Sequence, residues 1–130
     1  MRQPSLALAA AFLFTVGTAA AQSSGPIKRT IITRADVSVP GREAVVAQVE
    51  IAAGATAGRH THPGDEISYF LDGEGELLID GQPPRHMRAG EAFVIPAGVV
   101  HDARNPGLEP ARLVGVYVVE KGRPLASPAK

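Results

Sequence analysis

Apolar residues along this chain occur in short runs that alternate with polar residues and are bounded by proline and glycine. After residue 21, no segment sustains the apolar period of about 3.6 residues that marks a packed helix. Short strands separated by regular turns are typical of a β-sandwich or β-barrel. We therefore predict an all-β fold with strands at 44–51, 67–71, 76–79, 92–95, 100–104 and 113–119, an extended segment at 60–62 and a possible edge strand at 27–33.

Two Asp-Gly pairs mark sharp turns in this pattern. Asp72-Gly73 follows one predicted strand, and Asp80-Gly81 follows the next. An Asp-Gly pair between apolar runs is a strong hairpin signal, because glycine tolerates the positive φ that tight turns require. We expect a β-hairpin at each of these two pairs.

Composition and charge narrow the possible functions. The 130 residues suffice for one domain, and 14 glycines and 11 prolines suit many turns better than a helical bundle. The absence of cysteine excludes disulfides, thiolate metal sites and cysteine nucleophiles. Basic and acidic side chains balance at 13 each with no basic stripe, so nothing favours a nucleic-acid partner.

The N-terminus has the pattern of an export signal. A basic residue at position 2 precedes the apolar run Leu6–Val16, and Ala19-Ala20-Ala21 fits the small-residue pattern of a cleavage site. We predict a signal peptide at residues 1–21, cleaved after Ala21, and a periplasmic or secreted mature protein that has no membrane partner. The alternative is an uncleaved anchor, for which the apolar stretch is at the lower limit of length.

Three histidines and one glutamate form a candidate metal site. His60 and His62 are two residues apart on an extended segment, so their side chains point to the same face. Glu66 follows the turn Pro63-Gly64-Asp65, and His101 comes just after another turn at 96–98. Imidazole and carboxylate ligands suit one divalent transition metal, Fe, Mn, Ni, Cu or Zn. A His-x-His pair alone is more often a surface or hydrogen-bonded pair, so the case depends on the other two residues.

The stretch from 54 to 105 resembles the cupin superfamily. The first cupin motif, G-x5-HxH-x3-E-x6-G, is matched at every spacing by Gly54, His60, His62, Glu66 and Gly73. The second motif, G-x5-PxG-x2-H-x3-N, is matched by Gly90, Pro96, Gly98, His101 and Asn105. The resemblance implies a double-stranded β-helix, or jelly-roll, barrel with His60, His62, Glu66 and His101 as metal ligands. Germin-like oxalate oxidases carry a disulfide, which argues against a close match with them.

Other residues near the motifs are assigned by position. Ser68 and Phe70 share strand parity with Glu66, so we expect them to line the pocket. Arg59 and Arg104 have the opposite parity to their neighbouring ligands and are expected at the surface, so no charged side chain is expected to face the site beside the ligands. His86 is interpreted as a surface residue and Asn105 as a turn cap.

The resemblance leaves two functions open, because cupins include enzymes and non-catalytic binding domains. The first is a metal-dependent enzyme, oxygenase-like, acting on a small organic molecule, with Glu66 as a general base if it leaves the metal. The second is a non-enzymatic protein that binds a metal or a small ligand. We expect the barrel at 44–120, an N-terminal segment at 22–43 and a tail at 121–130 that is a loose strap or disordered. We also expect a homodimer formed through 113–119 or 27–33, and the alternative is a monomer in which both segments are internal strands.

Overall fold

The computed structural model describes residues 27–130, which form ten β-strands and no helix. The predicted signal peptide therefore lies outside the described residues. The strands are β1 Ile27–Asp36, β2 Arg42–Ile51, β3 His60–Thr61, β4 Gly64–Asp72, β5 Glu74–Ile79, β6 Arg85–Arg88, β7 Ala92–Ile95, β8 His101–Arg104, β9 Ala111–Glu120 and β10 Ser127–Pro128.

Two five-stranded sheets make up the fold, and every pairing within them is antiparallel. Sheet I has the order β1-β2-β9-β4-β7, and sheet II has the order β10-β3-β8-β5-β6. Strands that are distant in sequence are neighbours in both sheets, as in a jelly roll. The predicted all-β jelly-roll fold is confirmed.

Alternation along the long strands decides which side chains fill the core. In β4 and β9, buried residues alternate with more exposed ones, as the period of two requires. The inward residues of both sheets form one apolar cluster of Val49, Ile51, Phe70, Leu77, Met87, Phe93, Ile95, Ala111 and Leu113. A second cluster contains Val45, Ala47, Tyr117 and Val119, with Leu125 packed against it. The polar site described below includes residues that adjoin both clusters.

The predicted hairpin at Asp72-Gly73 is wrong. Gly73 does adopt a positive φ of 74°, so the turn itself is tight. The turn, however, connects β4 of sheet I to β5 of sheet II, and these two strands do not pair. Asp80-Gly81 does begin the connection of a true hairpin, because β5 pairs with β6. Local turn chemistry specifies the bend, whereas the pairing of the strands depends on the whole fold.

The sheets extend beyond the predicted barrel bounds of 44–120 on both sides. β1 pairs with β2 along its length at the edge of sheet I. The tail, expected to be a loose strap or disordered, carries β10, which pairs with β3 at the edge of sheet II. β6 was also not predicted, because its polar sequence places only Met87 in the core.

The strand order excludes one of the two segments expected to form the edge of a dimer. β9, which contains the predicted strand 113–119, lies in the middle of sheet I between β2 and β4 and has no free edge. β1 does lie at an edge. Within residues 27–130, no helix has the length and apolar character needed to cross a membrane.

Candidate metal centre

The four predicted ligands come from different parts of the fold and meet between the two sheets. His60 in β3 lies directly opposite His101 in β8, within sheet II. Glu66 lies in β4 of sheet I, and His62 lies in the short connection that joins the two sheets. We call these four residues the donor cluster. Each offers one ligand atom, and these atoms all lie within 4.8 Å of one another, so the cluster could hold a metal ion.

The turn expected before Glu66 is shorter than predicted. β4 already begins at Gly64, which pairs with Val119 of β9. A Cβ atom at Gly64 would lie 2.0 Å from the carbonyl oxygen of Val118, so only glycine permits this approach of the two backbones. Gly64 thereby brings β4 against β9 at the point where the chain changes sheets, two residues before Glu66.

Every histidine of the cluster has its Nδ1 atom held by a backbone carbonyl. The Nδ1 atoms of His60, His62 and His101 lie 2.7, 2.6 and 2.9 Å from the carbonyl oxygens of Gly58, Leu125 and Val99. A carbonyl oxygen can only accept, so each Nδ1 donates the hydrogen bond, and a neutral ring keeps its lone pair on Nε2. Backbone partners of this kind fix both ring orientation and tautomer in metal-ligating histidines.

The Nε2 atoms then face a carboxylate that is also an acceptor. Those of His62 and His101 lie 2.9 and 3.1 Å from Oε2 of Glu66. Among residues 27–130, the buried Nε2 of His62 makes no hydrogen bond in spite of this short distance. When the rings are neutral with the proton on Nδ1, the lone pairs of Nε2 and of the carboxylate converge, and a cation would satisfy them. The residues present therefore fit a divalent transition metal.

Glu66 is kept ionised by its surroundings. Burial alone would raise its pKa, but contacts with His101, His62 and Ser68 outweigh burial and hold the pKa far below the ordinary value. The Ser68 hydroxyl donates to Oε1 at 2.6 Å, which leaves Oε2 directed toward the histidines. Burial lowers the pKa of His60 below its ordinary value, which favours the neutral ring that can act as a ligand.

A small inner cavity adjoins the donor cluster. It holds about 30 Å³, and its lining includes His60, Glu66, His101 and Ser68. The rest of the lining is largely apolar and includes Val49, Leu77, Phe93 and Leu113. Ser68 thus lies where strand parity placed it. Phe70 points inward too, but it packs in the apolar core, with its ring centroid 6.4 Å from that of Phe93, and is not among the residues that line the cavity.

A larger outer cleft continues from this cavity toward the protein surface. It holds about 380 Å³, and the two spaces share Ile27, Arg29, Ala57 and His60 as lining residues. The tail residues 126–128 line the cleft as well. Its volume lies within the range of small-molecule sites, about 300–1,000 Å³.

Two residues of the site were missed by sequence analysis. Arg29 and Tyr117 both line the inner cavity, and the Arg29 guanidinium carbon lies 5.7 Å from the centroid of the Tyr117 ring. Tyr117 is the cross-strand partner of Glu66. Burial, with the negative charge of Glu66, raises the pKa of Tyr117 to about 12, although Arg29 opposes the shift. Parity along 27–33, with Ile27 inward, was the signal that could have placed Arg29 in the site.

The structure agrees with the positions expected for His86, Arg59, Arg104 and Asn105, but one expectation about the site is wrong. His86 is exposed and contacts Glu74, away from the cluster. Arg59 and Arg104 are also exposed, so their expected surface position is confirmed. The expectation that no charged side chain other than the ligands faces the site is wrong, because Arg29 does. Asn105 is 1% exposed and holds the loop before β9 through three hydrogen bonds, to Ile51, Glu109 and Gly107.

Comparison with known proteins identifies a family and several relatives of this chain. A family model described as the cupin domain matches residues 47–119. A 45-residue segment is 42% identical to dimethylsulfoniopropionate lyase DddQ of Ruegeria pomeroyi, covering 35% of this chain and 22% of that protein. Another of 48 residues is 44% identical to acireductone dioxygenase of Rhodopseudomonas palustris, covering 35% and 29%. Germin-like protein subfamily 2 member 2 of Arabidopsis thaliana is 32% identical over 66% of this chain and 43% of its own length. The chain thus spans less than half the length of each of these curated relatives.

Solved structures agree with this fold over most of the described chain. An uncharacterised conserved protein with a double-stranded β-helix domain from Klebsiella pneumoniae has a TM-score of 0.65 and 25% identity, over 88% of this chain and 96% of that one. The crystal structure of the lyase DddQ from Ruegeria pomeroyi has a TM-score of 0.59 and 28% identity, over 66% and 43%.

Proposed function

The chain belongs to the cupin domain family, and on that premise we propose that it is a metal-dependent enzyme that acts on a small organic molecule with dioxygen as a second substrate. The observation that carries the proposal is the inner cavity, where apolar side chains and the donor cluster line the same small space. A structural metal site is enclosed by its ligands, whereas a reactive site keeps access for a further molecule.

The size and lining of the inner cavity favour a small apolar co-substrate. A water molecule needs roughly 10–15 Å³ of such space and two or more polar partners. The cavity of about 30 Å³ therefore accommodates a diatomic molecule beside the cluster, but not an organic substrate. The outer cleft of about 380 Å³ is large enough for the organic substrate, and His60 borders both spaces. The match to an acireductone dioxygenase supports this class of chemistry.

Each residue of the cluster has a distinct role in this proposal. His60, His62 and His101 present Nε2 atoms whose direction is fixed by the carbonyls behind them. A bound divalent metal would supply Lewis acidity and, where it is redox-active, electron transfer. Glu66 is ionised and buried, so it would help to hold the metal, and as a carboxylate not bound to the metal it could take a proton from the substrate as a general base. Ser68 holds the carboxylate in place through Oε1.

The alternative function is binding without catalysis, and one observation favours it. Besides the donor cluster, the titratable side chains that line the inner cavity, among residues 27–130, are Arg29 and Tyr117. With its pKa raised to about 12, Tyr117 stays protonated and cannot act as a base near neutral pH. A site whose acid–base chemistry depends on Glu66 alone would also suit a protein that sequesters a metal or a small ligand.

Metal content tests the first part of the proposal. Protein purified from its native compartment should contain close to one divalent transition metal per chain by elemental analysis. His62→Ala should reduce the content sharply, whereas His86→Ala is the matched control, since His86 is exposed and outside the cluster. Full occupancy in His62→Ala would refute the assignment of the site.

Oxygen consumption separates the enzyme from the binding protein. We would measure it with an oxygen electrode on protein loaded with iron or manganese, using phenols, diketones and hydroxy acids as candidate substrates. Turnover that is lost in Glu66→Gln supports the enzyme. Tight binding of these compounds without oxygen uptake by any metal form would support the binding protein instead.

A further inference from the structure

Arg29 is placed between the two spaces of the site. It lies in β1 opposite Val49, on the same face as Ile27, whereas Lys28 faces the other side of the sheet. The inner cavity and the outer cleft both include Arg29 in their lining. The side chain therefore borders the route from the cleft to the donor cluster.

The positive charge of Arg29 is not matched by a carboxylate. Arg59 is paired with Asp80 at 2.7 Å, and the guanidinium of Arg104 is paired with Glu76. Within the part of the chain that the structure describes, none of the ion pairs includes Arg29. The 26 residues that precede this part contain no aspartate or glutamate. Among residues 27–130, Glu66 is the carboxylate that lines the same cavity as Arg29, and its oxygens contact His62, His101 and Ser68 instead.

One donor of Arg29 is buried without a partner. Its Nε atom is removed from solvent and makes no hydrogen bond to any of residues 27–130. A buried donor without an acceptor costs free energy, about 1–3 kcal/mol, more when the group is charged. The guanidinium carbon also lies 5.7 Å from the centroid of the Tyr117 ring, a contact that restrains the side chain. An acceptor supplied by a ligand would satisfy this arrangement.

We propose that Arg29 binds the carboxylate of an anionic substrate in the outer cleft, while the other end of that substrate approaches the donor cluster. This inference rests on the proposed function, because it names the substrate class of the same site. The planar fork of a guanidinium matches the two oxygens of a carboxylate. Apolar residues Ile27, Ala57, Ala126 and Pro128 line the rest of the cleft, and its other arginine, Arg59, is already paired. Within residues 27–130, Arg29 is the arginine of the cleft that lies outside an ion pair, and a single positive charge suits a monoanion better than a phosphate dianion.

A pair of probes that differ only in charge tests the proposal. Glycolate and glycolamide share the hydroxyl group and the carbon chain, but only glycolate is an anion. Their affinity for the zinc-loaded protein would be measured by isothermal titration calorimetry. We expect glycolate to bind in the millimolar range or tighter, glycolamide much more weakly, and Arg29→Gln to weaken glycolate binding roughly 10- to 100-fold, in line with a lost hydrogen bond to a charged group. Lys28→Gln is the matched control, because Lys28 lies next in sequence but on the opposite face.

Zinc content, measured on the same samples, separates the two proposals. Arg29→Gln should retain the zinc of the parent protein, because Arg29 is not in the donor cluster. If the parent protein holds no zinc, the assignment of the metal site fails. Titration of the metal-free protein with glycolate then still tests whether Arg29 binds a carboxylate. The carboxylate inference is overturned if the parent protein does not bind glycolate, or if it binds glycolamide equally well. It is also overturned if Arg29→Gln binds glycolate as tightly as the parent protein does, or if the parent protein binds inorganic phosphate more tightly than glycolate.

Discussion

Removal of the C-terminal tail should weaken metal binding, although the tail contains no metal ligand. The carbonyl oxygen of Leu125 accepts the hydrogen bond from Nδ1 of His62 at 2.6 Å. β10 follows, with Ser127 opposite Thr61 and Pro128 opposite His60. Two truncated chains separate these contributions. One ends at Ala126 and keeps the Leu125 carbonyl without β10, and the other ends at Pro124 and loses both.

The expected loss follows from the part that Leu125 plays. The Leu125 carbonyl holds the proton of His62 on Nδ1 and thereby fixes the direction of Nε2, and both are lost when this carbonyl is removed. Loss of such an outer partner typically lowers metal affinity about 10- to 100-fold, which corresponds to roughly 1.4–2.8 kcal/mol of binding free energy. The chain ending at Pro124 should show this loss, and the chain ending at Ala126 should show a smaller one. Metal stoichiometry should stay at one per chain in both, because all four ligands remain.

A competition titration with a chromophoric zinc chelator measures this affinity, and far-ultraviolet circular dichroism establishes that each truncated chain keeps its β-structure. Leu125 also packs against the cluster that includes Tyr117, so a modest decrease in thermal stability is expected as well. The reasoning is refuted if the chain ending at Pro124 binds zinc as tightly as the full chain. It is also refuted if the two truncated chains lose affinity equally, because the carbonyl would then contribute nothing beyond β10.

Three further predictions concern stability, assembly and export. Asn105→Ala should lower the free energy of unfolding by about 2–4 kcal/mol, because three hydrogen bonds of a buried side chain are lost. Chemical denaturation measures the loss of stability, and the zinc stoichiometry should be unchanged. Light scattering at micromolar concentration should give the mass of two chains joined through the free edge of β1, and Ile32→Glu, in that strand where Ile32 is 61% exposed, should give the mass of one. Mass spectrometry of the exported protein should find Gln22 at its N-terminus, and retention of Met1 would indicate an anchor.

The donor cluster could be predicted from sequence because the chain matches both cupin motifs at every spacing. His60 and His62 are fixed relative to each other by strand parity, and the matching spacing of the second motif indicated His101 as their partner. What sequence could not give is the register that places His101 directly opposite His60. That register is determined by the packing of both sheets, and no short segment encodes it.

The predictions that were wrong, and the site residues that sequence analysis missed, depend on contacts between segments that are distant in the sequence. The bend at Gly73 was predictable, but whether β4 and β5 pair depends on where β9 lies. Parity placed Phe70 inward correctly, yet the position of Phe93 decides that Phe70 fills the core and does not line the cavity. The role of Leu125 depends on its backbone carbonyl, a group that every residue carries and that no sequence motif marks.

Metal binding should stabilise the fold as a whole, because the donor cluster joins the two sheets. His60 and His101 belong to sheet II, Glu66 belongs to sheet I, and His62 lies in the connection between them. The unfolded chain does not hold these groups together, so metal binds the folded state selectively. A free metal concentration 100-fold above the dissociation constant then adds about 2.7 kcal/mol of stability, or roughly 10–20 °C in Tm for a domain of about 100 residues.

Differential scanning calorimetry of metal-free and zinc-loaded protein measures this shift. The shift should nearly vanish in His62→Ala and persist in His86→Ala, which keeps the cluster intact. A metal that bound only to exposed carboxylates would stabilise both variants equally, because neither substitution changes those groups. Equal shifts in the two variants would therefore show that the two sheets are not joined through this site, and the geometric argument for the donor cluster would fail with them.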